Sequence, residues 1–251
     1  MKRSKMMLSA LLVGAPNKVS VVIFDSKTEA ASPFTSDLAE WTDAINRPAP
    51  GDSGAAIFDA IAFALDLLKK EPAGNRRAIL LISQERDNGS KTPMQEIVQD
   101  LGETNTAIYC LTFSAEKAET KAAVKSPKLN DPIQVVPSTG GPVQAVNDPS
   151  YPTQGYFDLA APLRLIIGAM RKNVSAEVAT LSGGVTMNFD GRGELESNLN
   201  LLTNYIHNTY HLSFTPTSRE PGLHTIDVTL PKHPEMIVSA RRNYWENETN
   251  K

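Results

Sequence analysis

Apolar residues run almost without interruption at residues 19–24, 78–83 and 107–113. Runs of this length, bounded by polar turns, predict parallel strands covered by helices on both faces. Between the first two, residues 37–45 carry Leu38, Trp41 and Ile45 at helical spacing. They predict a short helix capped by Ser36 or Asp37. Ile57, Ile61, Ala64, Leu65 and Leu68 recur on one helical face, and Phe58, Ala62 and Phe63 widen it. That second helix is expected to be well buried. A further helix is expected over residues 92–103, with Pro93 in its first turn, where the missing N–H costs little. Strands alternating with helices in this way predict an α/β layered fold.

Beyond residue 113 the pattern changes. Pro127, Pro132, Pro137, Pro142, Pro149 and Pro152, with Gly140-Gly141 among them, interrupt any period. Residues 114–156 are therefore expected to form an irregular insertion, the most mobile part of the chain and the first cut by protease. Lys117, Lys121, Lys125 and Lys128 are expected to lie on a solvated helical face. Helical spacing resumes at Leu163, Ile166, Ile167 and Met170, and again at Leu195, Leu199, Leu202 and Ile206. Apolar and polar residues then alternate through Tyr210, Leu212 and Phe214, through residues 224–230, and through residues 236–240. Such alternation predicts antiparallel strands with one wet face, a C-terminal β extension over residues 209–245.

The order of motifs carries more than the periods do. Val19-Ser20-Val21-Val22-Ile23-Phe24-Asp25-Ser26 is followed by Gly54-Ala55-Ala56-Ile57-Phe58-Asp59-Ala60-Ile61. Next come Ala78-Ile79-Leu80-Leu81-Ile82-Ser83-Gln84-Glu85-Arg86-Asp87-Asn88-Gly89-Ser90, then Leu181-Ser182-Gly183-Gly184-Val185, and finally Arg241-Arg242-Asn243-Tyr244. This succession resembles the von Willebrand factor A-type (VWA) domain, specifically its bacterial VWFA-related subfamily. The resemblance implies one VWA-like, Rossmann-like domain over residues 1–251, with a mostly parallel sheet and flanking helices. In that family a divalent cation is held by Asp-x-Ser-x-Ser after the first strand, a Thr before the helix and an Asp after a later strand. Here the last two positions read Ala55 and Gln84, and Asp-x-Ser-x-Ser occurs nowhere. A hard cation takes oxygen ligands with carboxylate charge. Alanine offers no side-chain oxygen and glutamine no charge, so a degenerate metal site and no tight magnesium or manganese binding are expected.

Two readings stand for the N-terminus. Met1-Lys2-Arg3-Ser4-Lys5 followed by an apolar run imitates a secretory signal. Met7, Leu8, Leu11 and Leu12 also fall at helical spacing, with Gly14 and Pro16 as a stop. The helix is preferred because the apolar run is short for a signal and the spacing to Val19 fits the resemblance. That choice implies that the family's first strand is missing from this chain, through a start assigned downstream or a truncated gene product. In the family this strand lies between those matching residues 19–24 and 78–83. Its loss is expected to leave two unpaired edges and a chain that is poorly soluble, oligomeric or molten until upstream residues are restored.

Composition narrows the function classes. With 251 residues, 41% of them hydrophobic and 21% charged, the chain can bury a substantial core. A net charge of −3 without a basic run gives no electrostatic case for nucleic acid. No apolar stretch is long enough to span a bilayer. The single cysteine, Cys110, lies in an apolar run and reads as a buried structural thiol. The compartment stays open, although an extracytoplasmic or secreted place is compatible with the family.

Few residues suggest catalysis. Asp59 has the place of an acid complementing a helix N-terminus, and Asp25 that of a turn former. His207 and His211 have the spacing of helical zinc ligands, but the residues between them cross an expected helix-to-strand boundary. His224 and His233 read as strand and turn residues. The Asn88, Asn173 and Asn247 glycosylation patterns are short enough to recur by chance. There is no nucleophile elbow, phosphate loop or dinucleotide fingerprint. A hydrolase built on Asp25, Asp59 and His207 is thus the weakest reading. A truncated product without autonomous activity is a second. The leading expectation is a non-enzymatic adhesion or scaffold module without a cofactor. It would bind an unknown protein partner through Asp52, Ser53, Gln84, Glu85, Arg86, Asp87 and Asn88, beyond the carboxyl ends of the strands.

Overall fold

The computed structural model describes residues 17–30, 32–46, 51–52, 54–72, 74–113, 173–210, 212–216, 220–236 and 238–246. The expected insertion at residues 114–156, its lysines, and the helix around Leu163 to Met170 fall outside the described residues, as do residues 1–16.

The two longest apolar runs form the centre of the fold. Strands β3 (Arg77–Gln84) and β4 (Thr106–Phe113) pair in parallel over their full length, Arg77 opposite Thr106 and Gln84 opposite Phe113. On the far side of β4 lies a short parallel strand, β5 (Thr186–Asn188), completing a three-stranded sheet of order β3-β4-β5. Helix α2 (Ile57–Lys69) buries Ile57, Phe58, Ile61 and Leu65, the stripe the spacing predicts. They join Ile97, Val98 and Leu101 of α3 (Met94–Glu103) and Val174, Val178 and Leu181 of α4 (Val174–Ser182) in one core with Ile108 and Cys110. Burial pushes the Cys110 thiol up to about 12, so it stays protonated at neutral pH and serves as packing.

The remaining helices also follow their periods. Helix α1 (Leu38–Asn46) is capped by Asp37, whose Oδ1 accepts the Ala39 N–H at 2.7 Å. Helix α5 (Arg192–His207) buries Leu199 and Leu202. Pro93 stands immediately before α3 in extended conformation. Helix α4 ends at Gly183, whose φ of 79° supplies the left-handed cap. The next residue, Gly184, lies so close to the Ile108 backbone that an added Cβ would come within 2.7 Å of its carbonyl carbon.

Two expectations are corrected. Residues 19–24 were expected to form a strand of the parallel sheet. Instead, β1 (Val22–Phe24) pairs antiparallel with a strand absent from the periodic reading, β2 (Thr28–Ala30), in a separate two-stranded sheet. Ser20 and Val21 bond to Ser32, and Val19 bridges Thr35, so the chain returns along its own partner. The C-terminal part is likewise antiparallel, but its strands are β6 (Gly222–Thr225) and β7 (Asn243–Glu246). The alternating segments around Tyr210 to Phe214 and Met236 to Ala240 are not strands among the described residues. Tyr210 is 94% exposed and Leu212 74%, which shows that their alternation found no sheet to face. Phe214 does reach the β6–β7 hairpin, meeting Tyr244 edge-on at 5.6 Å.

Candidate functional site

Loops after β1 and β3 meet at the start of α2, and carboxylates hold them there. The Asp25 carbonyl accepts the Ala56 N–H at 2.8 Å. Its side chain accepts the Lys27 N–H at 2.8 Å and the Asp52 N–H at 3.3 Å, which makes it the turn former its position suggests. Asp52 in turn accepts from Gly54 N–H at 3.0 Å and Ser26 N–H at 3.2 Å. Those bonds, the one from Gly54 foremost, hold its carboxyl below the usual carboxylate range. The loops approach this closely because residue 54 is glycine. A Cβ there would stand 2.7 Å from the Ser26 nitrogen.

The second half of the arrangement spans α2 and the loop after β3. Ala56, the residue before the helix, provides no side-chain cap. Asp87 caps the helix from the other loop instead, its Oδ1 accepting the Phe58 N–H at 3.2 Å and the Ser90 hydroxyl at 2.5 Å. Ser90 Oγ also accepts the Asp59 N–H at 3.2 Å. Asp59, in the first turn as expected, accepts the Thr92 N–H at 2.7 Å and the Lys91 N–H at 3.0 Å. Ala55 and Asn88 exchange both backbone hydrogen bonds, at 3.0 and 2.8 Å. The Gln84 amide donates to the Arg86 carbonyl at 3.1 Å, folding back on its own loop. Val174 N–H and Ser175 Oγ at the start of α4 donate to the Glu85 and Gln84 carbonyls, at 3.1 and 3.2 Å.

Asp52, Asp87 and Asn88 are thus bonded around the start of α2, whereas Gln84 and Glu85 bond through their carbonyls to the start of α4. Among the described residues no bond ties Arg86 to α2; Asp52, Arg86 and Asn88 are exposed. Ser53 falls outside the described residues. Residue 207 closes α5, but its side chain and His211 also lie outside them. Asp25 and Asp59 spend their oxygens on separate loops. Ser26, Ser90 and Thr92 were missed by the sequence reading. The turn chemistry of Asp87-Asn88-Gly89-Ser90 is the signal that could have shown Ser90. Among the described residues no group of three His, Cys, Asp or Glu is placed to hold a metal ion.

Asp59 gives this arrangement a pH dependence. Burial opposes its ionisation, but the hydrogen bonds from Thr92 and Lys91 outweigh burial and leave the carboxyl below its ordinary range. A carboxyl depressed in the folded state contributes stability above its unfolded value, about 3.9, and loses it as pH falls through the lower folded value. Asp59→Asn is therefore expected to lower thermal stability at pH 7 and to converge on the wild type as pH falls through the lowered folded value. Melting curves across that range check it, and a pH-independent difference would show that charge plays no part.

Residues 1–86 match the family model of the von Willebrand factor type A domain. The resemblance read from the ordered motifs is borne out over those residues, and the α/β fold agrees with it. A search of curated proteins finds no match. Among solved structures, an aerotolerance-related membrane protein from Bacteroides fragilis NCTC 9343, carrying multiple mutations to serine, is 16% identical. The alignment covers 81% of this chain and 88% of that one, with a TM-score of 0.46. The conserved hypothetical protein BatB from Bacteroides thetaiotaomicron is 14% identical, with 83% and 88% covered and a TM-score of 0.48. No helix among the described residues is long and apolar enough to cross a membrane.

Proposed function

We propose, starting from the von Willebrand factor A-type match, that this chain is a non-enzymatic protein-binding module whose contact surface is the loop cluster at the start of α2. The observation that supports this best is how its carboxylates are used. Asp25, Asp52, Asp59 and Asp87 each accept backbone N–H groups, so they stiffen the loops around the helix. A surface held in place before contact loses less freedom on binding than a loose one. Ala55 contributes only backbone to the cluster, and Gln84 turns its amide nitrogen to Arg86. This donor set does not fit a hard divalent cation, which takes several oxygen ligands. Recognition would rest on the shape of the cluster and on Glu85, Arg86 and Asn88, not on a cation shared with a partner's carboxylate.

Titration calorimetry with magnesium and manganese tests the metal-free part. No stoichiometric binding is expected at micromolar concentrations, and binding abolished by Asp87→Ala would overturn it. The interaction part is tested by cross-linking partners to the wild type and to Glu85→Ala/Arg86→Ala. Loss of a defined partner in the double variant, with an unchanged melting temperature, is the expected result. Partners retained equally by both forms would move the contact surface elsewhere.

A further inference from the structure

The loop after β3 holds a reactive pair of residues. Asn88-Gly89 is the sole asparagine–glycine step in the sequence, and both residues are exposed. Ala55 holds Asn88 by its backbone alone, through N–H to carbonyl bonds in both directions at 2.8 and 3.0 Å. Among the described residues no group bonds the Asn88 side-chain amide or the Gly89 N–H. The space around them is also open. A Cβ built on Gly89, whose φ is 104°, would meet only Ser26 Oγ, at 3.9 Å. Asn173 and Asn198 lack both features. Asn173 Oδ1 accepts the Ala176 N–H at 2.9 Å and Asn198 donates to the Asn188 carbonyl at 2.9 Å, and their following residues are Val174 and Leu199.

We propose that Asn88 is a self-modifying site, at which the Gly89 nitrogen displaces the side-chain amide and leaves an aspartate or isoaspartate. Hydroxide takes the Gly89 N–H proton, and the nitrogen forms a bond to Asn88 Cγ. The bond from Cγ to the amide nitrogen breaks, and that nitrogen takes up protons from water and leaves as ammonia. Water then opens the cyclic imide. Breaking the bond from Gly89 N to Cγ yields aspartate, whereas breaking the bond from Gly89 N to the main-chain carbonyl yields isoaspartate, whose backbone runs through Cγ. Ring closure turns the Asn88 carbonyl, so the bond it accepts from Ala55 opens first. That bond belongs to an isolated bridge outside the sheets, a contact that can open locally without global unfolding.

The site lies where a longer backbone has consequences. Residues on either side of the pair hold the start of α2, Asp87 by accepting the Phe58 N–H and Ser90 by accepting the Asp59 N–H, both at 3.2 Å. Isoaspartate inserts a methylene between those two anchors. The Ala55 bridge and both caps then no longer fit one backbone length, so the helix start loosens. Either product also puts a carboxylate where a neutral amide stood, on the surface proposed for contact. The chemistry belongs to Asn88 and Gly89 and stands without that contact reading.

Ageing the full chain in buffers of rising pH, followed by acid-stable digestion and peptide mass spectrometry, tests this. The peptide carrying residue 88 is expected to gain the amide-to-acid mass, faster at higher pH, with isoaspartate among its products. Peptides carrying Asn173 and Asn198 should keep their amides over the same time. Asn88→Gln, which has to close a larger ring, should lose the change, and its melting curve shows whether it folds as the wild type does. Aged wild type should melt below both fresh wild type and Asn88→Asp, because the variant carries the charge without the longer backbone. Three results would overturn the proposal. One is an Asn88 amide that persists in the folded chain while a denatured sample loses it, which would mean that the Ala55 bridge keeps the ring from closing. Another is equal loss at Asn173 or Asn198. The third is a modified chain that melts as the fresh one does, which would remove the effect on α2.

Discussion

Gly184→Ala is expected to destabilise the fold by about 3 kcal/mol or more, because the added methyl has nowhere to go. A Cβ at residue 184 would overlap the Ile108 carbonyl, and the atoms it meets are backbone, not the movable end of a side chain. Ile108 sits inside β4, fully buried, and its own N–H is held by the Ser182 hydroxyl at 2.9 Å. Relief would require β4 to separate from the turn between α4 and β5, breaking the bond from Gly184 N–H to the Ala179 carbonyl at 2.8 Å. For a domain of this size a loss of that order lowers the melting temperature by roughly 6–12 °C. Gly193→Ala is the internal control. Nothing lies within 4 Å of its added methyl, and Gly193 is helical, so the exchange should stabilise α5 by up to about 1 kcal/mol. If the two variants melt alike, the close approach at Gly184 does not constrain the fold.

Replacing Arg241 should release the C-terminal hairpin from the rest of the protein. Its guanidinium is half-buried among carbonyls and has no carboxylate partner among the described residues. It donates to Gly102 and Thr104 carbonyls, both at 2.6 Å, to Asn243 at 2.5 Å, and also to Leu101. Leu101, Gly102 and Thr104 are the last turn of α3 and its cap, where unpaired carbonyls and the negative end of the helix dipole favour a cation. Burial pulls the guanidinium below its ordinary range, and the arginine remains charged at neutral pH. Hydrogen bonds to a charged group contribute about 1.5–3 kcal/mol each and do not add fully, so Arg241→Ala should cost about 3 kcal/mol in total. Arg241→Lys should recover only part, since one ammonium cannot serve carbonyls from two elements as a planar fork does. The readout is site-specific. Amide exchange should rise at residues 222–225 and 243–246 while the β3–β4 pair stays protected. Unchanged protection in the hairpin would mean that packing of α3 against β7 suffices.

Much of this was legible along the chain, for a physical reason that differs by element. The stripe from Ile57 to Leu65 could be read because helical spacing alone places those residues on one face, and that face is the core. Runs of apolar residues at 78–83 and 107–113 could be read because a parallel strand needs both faces covered. The β1–β2 hairpin was not legible. Its strands span three residues each, and Thr28-Glu29-Ala30 carries no apolar period. Alternation around Tyr210 to Phe214 misled for the opposite reason. It shows that one side of an extended segment is apolar, but a strand also needs a free ladder partner.

The candidate site divides in the same way. Its residue types, Ala55, Gln84 and the polar residues at 85–88, are fixed in the sequence and set what chemistry the loops could offer. Which groups meet was decided only by the tertiary structure. Asp87 capping α2 and Asp59 holding Lys91 and Thr92 are bonds across about thirty residues, and Arg241 reaches Thr104 across 137. Local propensity sees a few residues at a time, so it determines helices, turns and buried runs. A carboxylate or guanidinium finds its partner through the packing of whole elements, and that packing closed the loops around α2.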